Sequence, residues 1–121
     1  EDILEETASN DIFLKIDIEG SEYRLLTILV DYASRITELV IELHDCDLHL
    51  IKIEHLIKNF DIRLVHVHAN NFGPIRLDDE LPVTLELTFS RYSERGDKID
   101  LPHRFDMPNN RFADEIKLKI I

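Results

Sequence analysis

The spacing of apolar residues switches along the chain between two residues and about three and a half residues, which is typical of strands alternating with helices. Period-two stretches predict four strands, at residues 12–18, 38–43, 62–69 and 83–89. A further alternating stretch, at residues 115–121, predicts an edge strand. The chain is therefore expected to form a β-sheet with helices in its connections.

Helical spacing marks the connections between the first three strands. Ser21 is placed to cap a helix that begins at Glu22 and runs to about Ile36, and Asp45 or Asp47 is placed to cap another. The buried sides are predicted to carry Leu25, Leu26, Leu29, Val30 and Ala33 in the first, and Leu50, Ile53, Leu56, Ile57 and Phe60 in the second. Residues 1–8 predict the end of a further helix, and residues 92–110 are polar and expected on the surface.

This order of elements predicts the fold class. Strands joined through helices form parallel sheets with right-handed crossovers. The connection before the fourth strand lacks a strong helical pattern, so that strand can run antiparallel. We therefore expect an α/β fold with an open, mostly parallel sheet and an antiparallel C-terminal strand. The length of 121 residues predicts a single domain.

Composition narrows the range of partners. The chain has 25 Asp and Glu against 14 Lys and Arg, a formal net charge of -11, and such a surface repels nucleic acid and anionic membranes. No apolar run reaches the roughly 20 residues of a membrane-spanning helix. Cys46 is the only cysteine, which excludes an internal disulfide and a cysteine-based zinc site. These features favour a cytoplasmic location.

Candidate chemistry lies at the carboxyl ends of the first three predicted strands, where ligands bind in open parallel sheets. The polar residues at these ends are Asp17, Glu19 and Gly20, then Glu42, His44, Asp45 and Asp47, then His66, His68, Asn70 and Asn71. Those within the strands share a parity, which places them on one face of the sheet. Gly20 has the freedom to adopt a positive φ angle and to let a ligand approach the backbone.

Structural interpretations compete with these functional ones. Lys15, Glu42 and His66 could form a cross-strand charge ladder on a partly solvated face. Asp45 and Asp47 are expected as helix caps rather than catalysts. His49 and His55 fall on a predicted helix with no partner at a useful spacing, which a solvated helix face explains.

A metal site is a further hypothesis. His66 and His68 share a strand face, and His44 or Asp17 could complete a ligand set around them. Histidines at a strand end serve equally well as hydrogen-bonding or proton-transfer groups, so both alternatives stay open. The chain has no Gly-rich phosphate loop and no nucleophile elbow, and Cys46 lies in no nucleophile motif, which argues against the usual hydrolases and NTPases.

Four linked motifs resemble the FkbM family of S-adenosylmethionine-dependent methyltransferases. DIFLKIDIEGSE at residues 11–22 resembles the family's Lys-x-Asp-x-Glu-Gly-x-Glu signature. VIELHD at residues 40–45, HVHANNFG at 66–73 and LPVTLELTFSR at 81–91 follow in a similar order and spacing, and DMPNN at 106–110 is also similar.

This resemblance implies a Rossmann-like class I methyltransferase fold, in which the four predicted strands are strands four to seven of a seven-stranded sheet. It implies that Asp17 and Glu19 lie beside the methyl-transfer centre, with Asp17 and Gly20 at the cofactor. His44, His68, Asn70 and Asn71 would line the pocket for an acceptor hydroxyl, on a sugar, glycan or other small molecule. Asp17, Glu19 or His44 would be the base.

The sequence departs from the family in one large respect. The amino-terminal half, with the Gly-rich loop and the acidic residue that grip S-adenosylmethionine, is absent from these 121 residues. We therefore expect a C-terminal half-domain that by itself binds the cofactor weakly or not at all. We also expect the open edge of the first strand to favour a homo-oligomer. The alternative hypothesis is a non-catalytic accessory or remnant module that binds a carbohydrate or a protein partner.

Overall fold

The computed structural model describes residues 2–94 and 101–118 of the chain. Its helices are α1 (Asp2–Glu6), α2 (Leu26–Asp31) and α3 (Cys46–Asn59), and its strands are β1 (Ile12–Ile16), β2 (Ile36–Leu43), β3 (Arg63–Ala69) and β4 (Leu85–Ser90). Short 3₁₀ helices at Glu22–Arg24 and Ala33–Arg35 flank α2. The expected α/β class is confirmed.

The four strands form one mixed sheet in the order β1-β2-β4-β3. β1 and β2 are parallel, and β4 is antiparallel to both of its neighbours. The last strand is therefore antiparallel, which the lack of a helical pattern in the connection before it allowed. It does not lie at the side of the sheet but separates β2 from β3, so the carboxyl ends of those two strands are about 10 Å apart.

The apolar core lies on one face of the sheet. Leu39, Ile41 and Leu43 of β2 are fully buried there, whereas Glu38 and Glu42 project from the opposite, half-buried face. The core face is packed with side chains from α2 and α3, among them Leu26, Leu29, Ile53 and Leu56. Burying one face while the other carries polar groups explains the period-two pattern of the sequence.

The structure corrects several predicted bounds. The helix predicted over 22–36 is broken into two 3₁₀ turns around the six-residue α2, and Ile36 begins β2 instead of ending a helix. β1 ends at Ile16, which leaves Ile18 on an exposed turn. In the helix after Asp45, Ile53 and Leu56 are buried as predicted, but Leu50 and Ile57 are exposed.

The strand predicted over 115–121 is absent from residues 115–118, and residues 119–121 lie outside the described part of the chain. Asn71 explains the course of this C-terminal segment. Its Nδ2 donates to the carbonyls of Asn110, Ala113 and Asp114, and its Oδ1 accepts the amide of Asn110. These bonds hold residues 110–114 through a side chain after β3, and residues 115–118 pair with no strand.

None of the helices in the described residues is long and apolar enough to cross a membrane.

Candidate functional site

The turns after β1 and β2 bring three of the predicted site residues together. Asp17, Glu19 and His44 each offer one ligand or proton-accepting atom, and these atoms lie within 4.8 Å of one another. The two strands are parallel and adjacent, so their carboxyl ends meet at the same edge of the sheet. We call Asp17, Glu19 and His44 the edge cluster.

Backbone geometry of the two turns presents this cluster to solvent. Glu19 and Gly20 have φ angles of 53° and 94°, and Asp45 in the facing turn has a φ of 50°. A Cβ atom added at Gly20 would find its nearest neighbour, Asp45 Oδ2, 4.0 Å away. The space beside Gly20 is therefore open to a ligand. Gly20 thus combines the two features expected of it, a positive φ angle and room for a ligand to approach the backbone.

His44 is held from behind by Glu22, a residue to which the sequence analysis gave no role beyond the first helical turn. Glu22 is fully buried, and its Oε1 lies 3.1 Å from His44 Nδ1. The same oxygen accepts the backbone amides of Ile18 at 3.0 Å and Gly20 at 3.1 Å. The last Glu of the DIFLKIDIEGSE motif was the signal that could have drawn attention to it.

Electrostatics favour an ionised Glu22. Burial by itself raises the pKa of the Glu22 carboxyl, but bonds from its own amide, from the amides of Gly20 and Ile18 and from His44 outweigh burial and lower that pKa. Since a carboxylate accepts hydrogen bonds and donates none, the hydrogen between the two side chains lies on His44 Nδ1. The other ring nitrogen, Nε2, faces Glu19 Oε2 at 3.6 Å.

Tyr23 fixes the backbone of His44 from the helical side. Its hydroxyl donates to the His44 carbonyl at 2.5 Å, and its ring contacts the His49 ring in a tilted arrangement with centroids 3.9 Å apart. His49 therefore has a partner, contrary to its prediction as a solvated residue.

Burial raises the pKa of the Cys46 thiol next to Tyr23, which agrees with the inference that Cys46 is not a nucleophile.

The helix-cap prediction is only partly right. Asp45 is the residue before α3, but its side chain makes no capping hydrogen bond and its backbone is left-handed. Asp47 lies in the first turn of α3, where the helix dipole stabilises a negative charge.

Of the residues predicted for the acceptor pocket, His44 belongs to the edge cluster, and the other three have partners outside it. His68 Nε2 lies 3.3 Å from Glu115 Oε1, and Asn70 Nδ2 donates to Glu42 Oε1 at 2.6 Å. Asn71 is buried and bound to the C-terminal segment, as described above. β4 lies between β3 and β2, a position that the sequence pattern did not reveal, and Asn70 reaches across it to Glu42 of β2.

The charge-ladder interpretation fails for His66, because β4 separates that residue from Glu42, whereas Lys15 and Glu42 lie on adjacent strands. Glu42 lies opposite Glu86 in the register of β2 and β4, and His66 lies opposite Thr88 in that of β3 and β4. His66 Nε2 instead lies 2.9 Å from Asp106 Oδ1. His66 and His68 form no metal group among the described residues, where the edge cluster is the one set able to hold an ion.

Comparisons with known proteins leave the family open. No protein-family model, no curated protein and no solved structure matches the chain.

Proposed function

We propose that the chain forms the acceptor side of an S-adenosylmethionine-dependent O-methyltransferase of the FkbM type, which methylates a hydroxyl of a sugar or another small molecule. The observation that carries this proposal is the edge cluster. Asp17, Glu19 and His44 meet at the carboxyl edge of two parallel strands, where the resemblance locates the methyl-transfer centre. The antiparallel last strand of the mixed sheet also agrees with that fold.

The residues around Gly20 suit the cofactor. S-adenosylmethionine would supply an electrophilic methyl group on a positively charged sulfur. Asp17 and Glu19 are exposed carboxylates beside the open space at Gly20, and opposite charge favours the cationic part of the cofactor. This chain would therefore contribute Asp17 and Gly20 to the cofactor, as the resemblance implies.

His44 is the base in this proposal. Imidazole is the side chain that most often accepts a proton near neutral pH, and its Nε2 is the ring nitrogen not occupied by Glu22. The His44 side chain is 20% exposed, so an acceptor hydroxyl can reach it. Once the ring has taken the proton, the Glu19 carboxylate 3.6 Å away stabilises its positive charge.

Radiolabelled methyl transfer tests this function. The full-length protein is incubated with methyl-labelled S-adenosylmethionine and a panel of glycosides and other hydroxyl compounds. We expect a labelled methyl ether as the product. His44→Gln should lower the rate of methyl transfer at least about 100-fold, because a general base contributes about that much. The control His55→Gln, at an exposed residue of α3, should change the rate little.

Two results would overturn the proposal. One is the absence of any labelled ether across the panel, which would favour the accessory-module hypothesis. The other is unchanged transfer in His44→Gln.

A further inference from the structure

We infer that Glu22 is a positioning residue, which fixes the ring nitrogen that His44 presents to the acceptor and ties the cofactor-side turn to that ring. This inference deepens the proposed function and rests on it for the catalytic consequence. Its structural content, the state of the His44 ring, does not depend on methyl transfer.

The contact with Glu22 decides which tautomer the His44 ring adopts. A neutral histidine carries one ring hydrogen, and the hydrogen bond made by one nitrogen decides the role of the other. Glu22 Oε1, 3.1 Å from Nδ1, keeps the hydrogen on Nδ1 and leaves the Nε2 lone pair free. A carboxylate behind an imidazole also holds the ring orientation, as in catalytic triads.

Glu22 also links His44 to the turn after β1. The same Oε1 accepts the amides of Ile18 and Gly20, which flank Glu19 and follow Asp17. One fully buried oxygen therefore sets the position of the turn that carries both acidic members of the edge cluster and the position of His44. A change at Glu22 would alter the geometry between the cofactor side and the base as well as the base itself.

The other oxygen of the same carboxylate explains why this geometry is sensitive. Glu22 Oε2 is buried, and none of the described residues bonds to it. The hydrogen bonds from Ile18, Gly20 and His44 therefore all converge on Oε1. Glu22→Gln keeps the shape but offers both an acceptor and a donor to Nδ1, so the ring is no longer confined to one tautomer.

Nitrogen-15 NMR of the histidine rings tests this inference at pH 8 in the full-length protein, without cofactor or acceptor. We expect the wild-type His44 ring to carry its hydrogen on Nδ1 alone, and Glu22→Gln to give a mixture of tautomers. The control Glu54→Gln, on an exposed carboxylate paired with Lys58, should leave the His44 signals unchanged. Amides of Ile18 and Gly20 should exchange faster only in Glu22→Gln.

Kinetics supply the functional arm. We expect Glu22→Gln to lower kcat at least tenfold while the acceptor KM changes less than twofold, because substrate contacts are retained. A neutral wild-type His44 ring that carries its hydrogen on Nε2 would overturn the inference, even if the variant fails to fold. So would an unchanged tautomer and kcat in a folded variant. Full activity in His44→Gln, by contrast, would refute the proposed function and leave the ring measurement standing.

Discussion

His44 Nδ1 and Glu22 Oε1 lie 3.1 Å apart, although the two residues are separated by 22 positions in the chain. The contact joins the turn after β2 to the 3₁₀ helix after β1. Because the carboxylate is fully buried, its replacement by an apolar group has a predictable cost.

Glu22→Ala should lower the free energy of unfolding by about 1–3 kcal/mol, since part-buried donors that lose their partner carry a penalty of up to that size. The donors at risk are the amides of Ile18 and Gly20 and the His44 ring. Urea unfolding followed by circular dichroism measures the loss, with Glu54→Ala as an exposed control. Equal stability of Glu22→Ala and the wild type would contradict the described hydrogen bonds.

Glu22 should also make stability depend on pH. The folded state lowers the pKa of this carboxyl below its usual 4.5, so its ionised form stabilises the fold above that pH, and the contribution is lost as the pH falls through the folded pKa. The stability difference between wild type and Glu22→Gln should therefore shrink when urea unfolding is repeated at progressively lower pH below about 4.5. A difference that stays constant over that range would exclude this origin.

Asp17→Asn should reduce methyl transfer while changing stability by no more than about 0.5 kcal/mol, as is usual for surface substitutions. Asp17 is exposed, and the nearby amides of Ile18 and Gly20 bond to Glu22 instead. Thermal unfolding and turnover are measured on the same preparation. A large drop in Tm with normal turnover would make Asp17 a structural residue.

Asn71→Ala should release the C-terminal segment. Four hydrogen bonds join this side chain to Asn110, Ala113 and Asp114, and the substitution removes all four. We expect faster proteolysis within residues 101–118, measured by mass spectrometry of limited digests. Asn59→Ala, on the exposed end of α3, is the control. Digestion at the wild-type rate would mean that other contacts hold the segment.

Self-association through β1 is expected for the 121-residue chain, because β1 is the outermost strand of the sheet and its outer edge pairs with no other described strand. Phe13→Lys, at a side chain 61% exposed, should weaken dimerisation at least tenfold in sedimentation experiments. Leu77→Lys, at a residue 96% exposed on the loop between β3 and β4, should not. A wild-type chain that stays monomeric at high concentration would refute the expectation.

Local patterns predicted the elements better than their arrangement. Period-two alternation located all four strands, and the buried Leu39, Ile41 and Leu43 of β2 follow it most clearly. The break of the predicted 22–36 helix escaped notice because no Gly or Pro lies within that stretch. Ile36 satisfies a helix stripe and a strand equally well, and its pairing with Ile12 decides the outcome.

The candidate site was predictable where it depends on adjacent parallel strands. Asp17, Glu19 and His44 follow two strands joined by a crossover, and they do meet. His68 lies in β3, whose neighbour is β4, and strand order depends on long-range pairing that no local pattern encodes. Glu22 was missed because a Glu in a first helical turn is usually solvated, and only the packed structure shows that this one is fully buried.

The most direct measurement of the central claim is a titration of the full-length protein with S-adenosylmethionine, followed by amide and histidine-ring NMR signals. The account predicts saturable shifts at Glu19, Gly20 and His44, with none at His55. Shifts confined to other parts of the chain, or no saturable change up to millimolar cofactor, would contradict the assignment of the edge cluster to a methyl-transfer centre.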